Sequence, residues 1–328
     1  MEPFELAQPT RLEDALSLLA DPDASPLAGG TDLLDRMKEH LDAPKLLVSL
    51  KRLGLDSIAS DSAKGLRLGA LSPLMAVATH PEVKARYPAL AAAAAHAATP
   101  NVRAQGTLGG SLAQRPRCWY FRSEAFFCRR HGGNTCFALD GENQLHALFD
   151  NGECAAIHPS TLATPLLAYD AQVVVASAKG RRTLALAEFF VAPGDDVTKE
   201  NVLMPGELLT EVLLPAPTPG TRSAYLKQGQ RESNDWPLAD VAVTLVMDAE
   251  VVKQARVALG AAAPTPMRAT AAEVVLMGHA PDEVHAKAAA DAQMKLANPL
   301  SKNRYKVDVF RAVIARAIVA AATGRSTS

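Results

Sequence analysis

The chain has 328 residues, 48% of them apolar and 21% charged, with a formal net charge of -1. That length admits two or three domains with substantial cores, and the balanced charge favours neither nucleic acid nor an anionic membrane surface. No apolar run approaches the roughly 20 residues that span a bilayer. Met1-Glu2-Pro3-Phe4 is acidic and lacks a basic-then-apolar signal pattern. We therefore expect no export signal of the chain's own: it is cytoplasmic, or periplasmic by co-export with a signal-bearing partner.

Apolar residues at helical spacing predict a helix over Arg11 to Ala20. Pro26-Leu27-Ala28 leads into the turn Gly29-Gly30-Thr31-Asp32, followed by a helix over Leu33 to Leu41 and a strand over Lys45 to Leu50. Leu66 to Ala70 reads as a strand, and Ser72 as the cap of a helix with Pro73 in its first position. The alanine-rich Ala89 to Ala98 predicts a closely packed helix ended by Thr99-Pro100-Asn101. Val102 to Gln114 is turn-rich, and from Arg115 to about Asn151 apolar periodicity disappears. So long an irregular segment is uncommon unless functional. Structure should resume near Leu162, with strands over Gln172 to Ala176 and Glu207 to Leu214 and a linker over Pro215 to Gly220. Strands over Ser223 to Gln228, Ala239 to Asp248 and Lys253 to Gly260 then precede helices over Ala269 to Met277, Pro281 to Leu296 and Val307 to Ala322. The expected class is α+β: a first domain over 1–219 with an insertion at about 115–156, and a C-terminal α+β domain over 220–328.

Two glycine runs stand out, Ala28-Gly29-Gly30-Thr31-Asp32 and Thr107-Leu108-Gly109-Gly110-Ser111. Consecutive glycines let several main-chain N–H groups face one anion. Neither run is a P-loop or a G-x-G-x-x-G fingerprint. Neither contains lysine or arginine, so a bound diphosphate would be held mainly by main-chain donors. Structural turns are the plain alternative.

The chain has four cysteines, Cys118, Cys128, Cys136 and Cys154, separated by nine, seven and seventeen residues. No C-x(2–4)-C knuckle and no common ferredoxin spacing is present. The count suits zinc or a [4Fe-4S] cluster. Two disulfides or free thiols are the alternatives. His131, His146 and His158 are nearby as other ligands or as polar loop residues. Arg115, Arg117, Arg122, Arg129 and Arg130 crowd the same stretch, either as a solvated or docking face or as charge opposing a thiolate cluster.

The two glycine runs resemble the FAD-diphosphate loops of the flavoprotein subunits of the xanthine dehydrogenase family of molybdenum hydroxylases. Ala261 to Ala269 resembles the start of the helical part of that subunit's C-terminal domain, and the resemblance covers nearly the whole chain. Arg117-Cys118-Trp119-Tyr120-Phe121-Arg122, the later cysteines and Ala156-Ile157-His158-Pro159-Ser160 resemble the branch holding the bacterial periplasmic aldehyde oxidoreductase flavoproteins. That resemblance implies a two-part FAD-binding domain and a C-terminal flavoprotein domain. It also implies a [4Fe-4S] cluster on Cys118, Cys128, Cys136 and Cys154.

The FAD contacts it implies are Pro26, Leu27, Ala28, Gly29, Gly30, Thr31, Asp32, Leu33, Asn101, Gly106, Thr107, Gly109, Gly110, Ser111, Thr161, Leu209 and Lys227. Thr161 stands where the family often has Asp. The implied partners are a molybdopterin-binding large subunit, a [2Fe-2S] small subunit and an external electron acceptor. Substrate chemistry would then occur on the molybdenum subunit, and no acid–base side chain is nominated here. The favoured substrate class is aldehyde, with 4-hydroxybenzoyl-CoA reductase-like and purine complexes as alternatives. A self-sufficient FAD oxidoreductase and a zinc-binding module without flavin are the rival functions.

Overall fold

Apolar residues at two periods build three sheets in the computed structural model, which describes residues 1–61 and 65–324. The first is a parallel αβ unit: β1 (Glu5–Ala7), α1 (Leu12–Leu18), β2 (Ala24–Leu27), α2 (Leu33–Lys38) and β3 (Leu46–Ser49). Its strand order is β1-β3-β2, both pairings parallel. β1 and β2 carry no clear alternation and went unread in the sequence. The buried face of α1 (Ala15, Leu16) and its C-terminal Leu19 pack on Val48, Leu50 and the distant Leu208.

The second region holds β4 (Ile58–Asp61), β5 (Gly65–Gly69), α3 (Leu74–Thr79), α4 (Pro81–Arg86), α5 (Pro88–His96), α6 (Pro100–Gln105) and α7 (Leu108–Leu112). After a long loop come α8 (Ala163–Ala168), β6 (Gln172–Ser177), β7 (Gly180–Ala185), α9 (Leu186–Phe189) and β8 (Leu208–Leu214). Its five strands run β4-β5-β8-β6-β7, all antiparallel. Two expectations change here. Pro73, not Ser72, is the cap of α3, because Ser72 Oγ donates instead to the Asp56 carbonyl at 3.0 Å. Thr99-Pro100-Asn101 ends α5 but also opens α6, with Thr99 Oγ1 accepting from Val102 N at 3.4 Å.

The third region is an antiparallel sheet, β9 (Thr221–Gln228), β10 (Ala239–Asp248), β11 (Val251–Gly260) and the short β12 (Met267–Arg268). It is followed by α10 (Thr270–Leu276), α11 (Glu283–Met294) and α12 (Tyr305–Thr323). Alternation along β10 sends Val241, Val243 and Leu245 toward α10–α12, and Ala242 to the other face. That other face, with Ala258 and Tyr225, joins the core containing α5 and α8. Small side chains on both sides let the alanine-rich α5 lie close to the sheet.

Residues 113–162 contain only one 3-10 turn, Arg129–His131. This loop is nevertheless ordered, by polar contacts to the third region. Leu148 N and Phe149 N donate to the Ala262 carbonyl at 2.8 and 3.1 Å, and His158 N to that of Ala263 at 2.9 Å. Fully buried Asn303 donates through Nδ2 to the carbonyls of His146 and Ala147 at 3.1 and 3.0 Å. Lys306, also fully buried, donates through Nζ to the carbonyls of His146 and Ala261 at 3.0 and 2.9 Å. A buried carbonyl left without a donor costs about 1–3 kcal/mol. Lys306→Met should therefore lower the melting temperature and expose 115–156 to limited proteolysis, read by thermal unfolding and fragment mapping. Wild-type protease resistance in a folded variant would show that the loop is held otherwise.

Candidate cofactor sites

The first glycine run turns between β2 and α2. A Cβ on Gly29 would lie 2.0 Å from the Gln105 carbonyl oxygen, so only glycine lets the turn meet the end of α6. Gly30 has φ 74°, in the left-handed region, where a side chain is strained regardless of space. Among the described residues, the main-chain N–H groups of Gly29, Gly30, Thr31 and Asp32 donate to no main-chain carbonyl. Such a row of free donors on a concave turn suits an anion.

The second run differs. Leu108 N donates to the Ser72 carbonyl, Gly109 N to that of Ala70 and Ser111 N to that of Thr107. Gly110 N donates to Thr107 Oγ1 at 3.1 Å. This run therefore supplies a wall more than donors. Gly109 is pressed on Ala70, whose Cβ would lie 2.8 Å from a Cβ there. A Cβ on Gly110 would meet only Thr107 Oγ1, at 2.9 Å, so its remaining face is open.

The two runs face each other across a cleft of about 410 Å3. Pro26, Ala28, Gly29, Gly30, Thr31, Asp32 and Leu33 line one side. Gly106, Thr107, Gly109, Gly110 and Ser111 line the other, with Thr161 and Leu209 also at the wall. Three expected contacts lie off this lining. Leu27 packs beneath the turn, its Cδ1 3.4 Å from the Cβ position of Gly30. Asn101 is exposed on α6. Lys227 Nζ donates to the His96 carbonyl at 3.1 Å, just before the lining residue Ala97. Burial pulls this ammonium below its usual range, with the charge of Asp240 opposing.

Sequence reasoning missed Arg36, Arg117 and Trp236, which also line the cleft. Trp236 comes from the β9–β10 connection, and the Arg117 guanidinium lies 5.3 Å from its ring centroid. Cations thus reach the cleft from outside the glycine runs. An exposed tryptophan in a polar loop was the available signal.

All four cysteines line one second, small cavity, together with Tyr120, Phe121, Arg129, Arg130, Phe137, Ala138 and Ala156. None forms a disulfide, so the two-disulfide alternative falls. The neighbouring Cys136 thiol and the Arg130 guanidinium pull the Cys154 thiol down against its burial, while Cys154 in turn pushes the Cys136 thiol up. Arg130 Nε donates to Cys154 Sγ at 3.2 Å, while its Nη1 meets Glu200 Oε1 at 2.7 Å. Burial pushes the Cys118 thiol up to about 11. His146 Nε2 lies 3.2 Å from Cys118 Sγ, and burial lowers this imidazole to about 4, so it is neutral at pH 7. His131 Nδ1 is 4.0 Å from Cys128 Sγ. His158 instead packs on Phe190, at 4.7 Å between ring centroids.

Among the described residues, no group of three or more His, Cys, Asp or Glu side chains converges to hold a metal ion. The four thiols share one cavity without closing on a single point. The arginines divide: Arg129 and Arg130 border this cavity, whereas Arg115, Arg117 and Arg122 bond to Glu200 and Asp32.

Comparison with known proteins gives the family. Residues 2–217 match the model of the FAD binding domain in molybdopterin dehydrogenase, and residues 224–322 that of the CO dehydrogenase flavoprotein C-terminal domain. The chain is 36% identical to the aldehyde oxidoreductase FAD-binding subunit PaoB of Escherichia coli, over 95% of this chain and 96% of that one. It is 29% identical to the carbon monoxide dehydrogenase medium chain of Hydrogenophaga pseudoflava, over 97% and 96%. A solved structure of carbon monoxide dehydrogenase from Hydrogenophaga pseudoflava superposes with TM-score 0.77 at 28% identity, covering 99% of both chains. Among the described residues, no helix is long and apolar enough to cross a membrane. With both parts of the chain matched in order, it belongs to the FAD-binding medium subunits of the molybdenum hydroxylase family and is a component of an oxidoreductase.

Proposed function

We propose that this chain is the electron-transfer flavoprotein subunit of a molybdenum-containing aldehyde oxidoreductase. It would take electrons from a [2Fe-2S] small subunit, itself served by a molybdopterin-binding large subunit, and deliver them to an external acceptor. The observation that carries the reading is the cleft between two glycine turns, one presenting free N–H donors and the other a wall opened by Gly109 and Gly110. Similarity to the aldehyde oxidoreductase subunit over nearly the whole chain supports the substrate class. Residues 1–219 would form the flavin domain and 220–328 the C-terminal domain. Bound FAD supplies the redox chemistry; the protein supplies binding, orientation and electrostatics.

The donors of Gly29–Asp32 would hold the diphosphate, and Gly106, Thr107, Gly109, Gly110 and Ser111 would leave room for it. Pro26, Ala28, Leu33, Thr161 and Leu209 would complete the pocket. Leu27, Asn101 and Lys227 would act from behind or beside it. We further propose that the insertion at about 115–156 carries a [4Fe-4S] cluster on Cys118, Cys128, Cys136 and Cys154. The cavity that all four thiols share, with Arg130 beside Cys154, supports this.

Gly110→Val tests the flavin site. Its new side chain meets only Thr107 and projects from the wall, so the folded variant should lose most of its FAD, read by visible absorption and circular dichroism. Full FAD occupancy would remove the second run from the site. For the cluster, anaerobically prepared protein should contain about four irons per chain, and Cys128→Ser should lower that content. Stoichiometric zinc without iron would refute the assignment. Finally, anaerobic aldehyde should bleach the flavin only when both partner subunits are present. Rapid bleaching in the isolated chain would make it a self-sufficient oxidoreductase.

A further inference from the structure

The carboxylate of Asp32 follows the first glycine turn, yet it makes no side-chain cap on α2. It is engaged by the cysteine loop. Arg122 Nη2 reaches Asp32 Oδ1 at 2.7 Å, and Arg117 Nη2 reaches the same oxygen at 2.9 Å. Oδ2 accepts from Arg115 N at 3.1 Å and pairs with Arg36 of α2. Both oxygens are thus fully engaged, three of their four partners coming from the loop.

Arg122 is the best placed of these partners. Its side chain is 9% exposed. Nε donates to the Pro116 carbonyl at 2.8 Å, and Nη2 also to that of Arg115 at 3.2 Å. Its main-chain N donates to the Cys118 carbonyl at 2.9 Å, closing the 118–122 turn. That turn brings Cys118 and Phe121 to the thiol cavity. Arg122 itself lines neither the thiol cavity nor the glycine cleft. A rigid path of short polar contacts therefore runs from the glycine turn through Asp32 and Arg122 to Cys118.

We propose that Asp32 and Arg122 are positioning residues that couple the two cofactor sites, so that each cofactor binds more tightly when the other is present. This rests on the reading of FAD and a [4Fe-4S] cluster given above. A cluster held by Cys118 fixes the 118–122 turn. The fixed turn holds Arg122 on Asp32, and Asp32 holds the adjacent donors of Gly29–Thr31 in place. Thermodynamic linkage makes the effect reciprocal.

The test is a double-mutant cycle on the full chain, reading FAD affinity by fluorescence and iron content by chemical assay. Cys136→Ser removes a cluster ligand away from the 118–122 turn, and Arg122→Met cuts the path between the sites. Each alone should weaken FAD binding about tenfold, and the double variant should be no more than about twofold weaker than either. Cys136→Ser protein that loses its iron and keeps wild-type FAD affinity overturns the coupling. So does a double variant whose two losses multiply. Wild-type protein that binds FAD but contains no iron overturns the cluster reading first, and the coupling with it. Arg122→Lys keeps a cation beside Asp32 but cannot also hold both loop carbonyls. It replaces Arg122→Met if that variant does not fold, and the same non-additivity is required of it.

Discussion

Everything in the flavin half depends on one contact that has no room for a side chain. The backbone of Gly29 sits against the carbonyl of Gln105, where a Cβ would be 2.0 Å from the oxygen. This joins the parallel β1–β3 unit to the helices that follow β5. It also brings the left-handed turn at Gly30 opposite the wall formed by Gly109 and Gly110. Gly109 is constrained similarly by Ala70. A cleft made by two close backbone approaches is shaped before any ligand arrives.

The cysteine loop is ordered by a different principle. Between residues 113 and 162 little regular structure exists to pair main-chain groups. Buried main-chain carbonyls must still find donors. They find them in the side chains of Asn303 and Lys306 from the C-terminal region, while Tyr305 at the surface donates through its phenol to the Gln144 carbonyl at 3.0 Å. Asn143 and Asn151 complete the set from within the loop. The second region and the third therefore share more than an apolar face. The insertion of one is held by the last helices of the other.

Long periodic elements were legible in the sequence because alternation and helical spacing are local. β8, β10, β11 and α12 lie close to their expected places. Short β1, β2 and β12 were not, since a two- to four-residue strand shows too few residues for a period. Tertiary pairing, not propensity, creates them. The glycine runs were visible as composition, but their different roles were not. Whether an N–H is free depends on which carbonyl lies opposite, and Ala70 and Ser72 are some forty residues away. The same limit hid Trp236 and the lining role of Arg117. Lys306, a residue type that reads as surface, gave no hint of its burial among carbonyls.

The five loop arginines show how charge acquires different meanings once folded. Arg130 is nearly fully buried between a thiol and the carboxylate of Glu200. Burying a guanidinium is unfavourable unless it is paired, and here Cys154 and Glu200 raise its affinity for the proton against desolvation. Its charge in turn helps the Cys154 thiol to ionise. The Asp32 group works in the opposite direction. Burial would push that carboxyl upward, but Arg36, Arg117 and Arg122 together hold it below its usual range. Asp32 therefore stays ionised at neutral pH while largely excluded from water, where its pairings are less screened than surface ion pairs. Arg130 lies against a thiol, Arg117 and Arg122 gather around a carboxylate, and all three lie on the same loop. The loop's basic composition therefore marks neither a nucleic-acid surface nor a uniformly solvated face. It carries positive charge both to the thiol cavity and to Asp32 beside the glycine cleft.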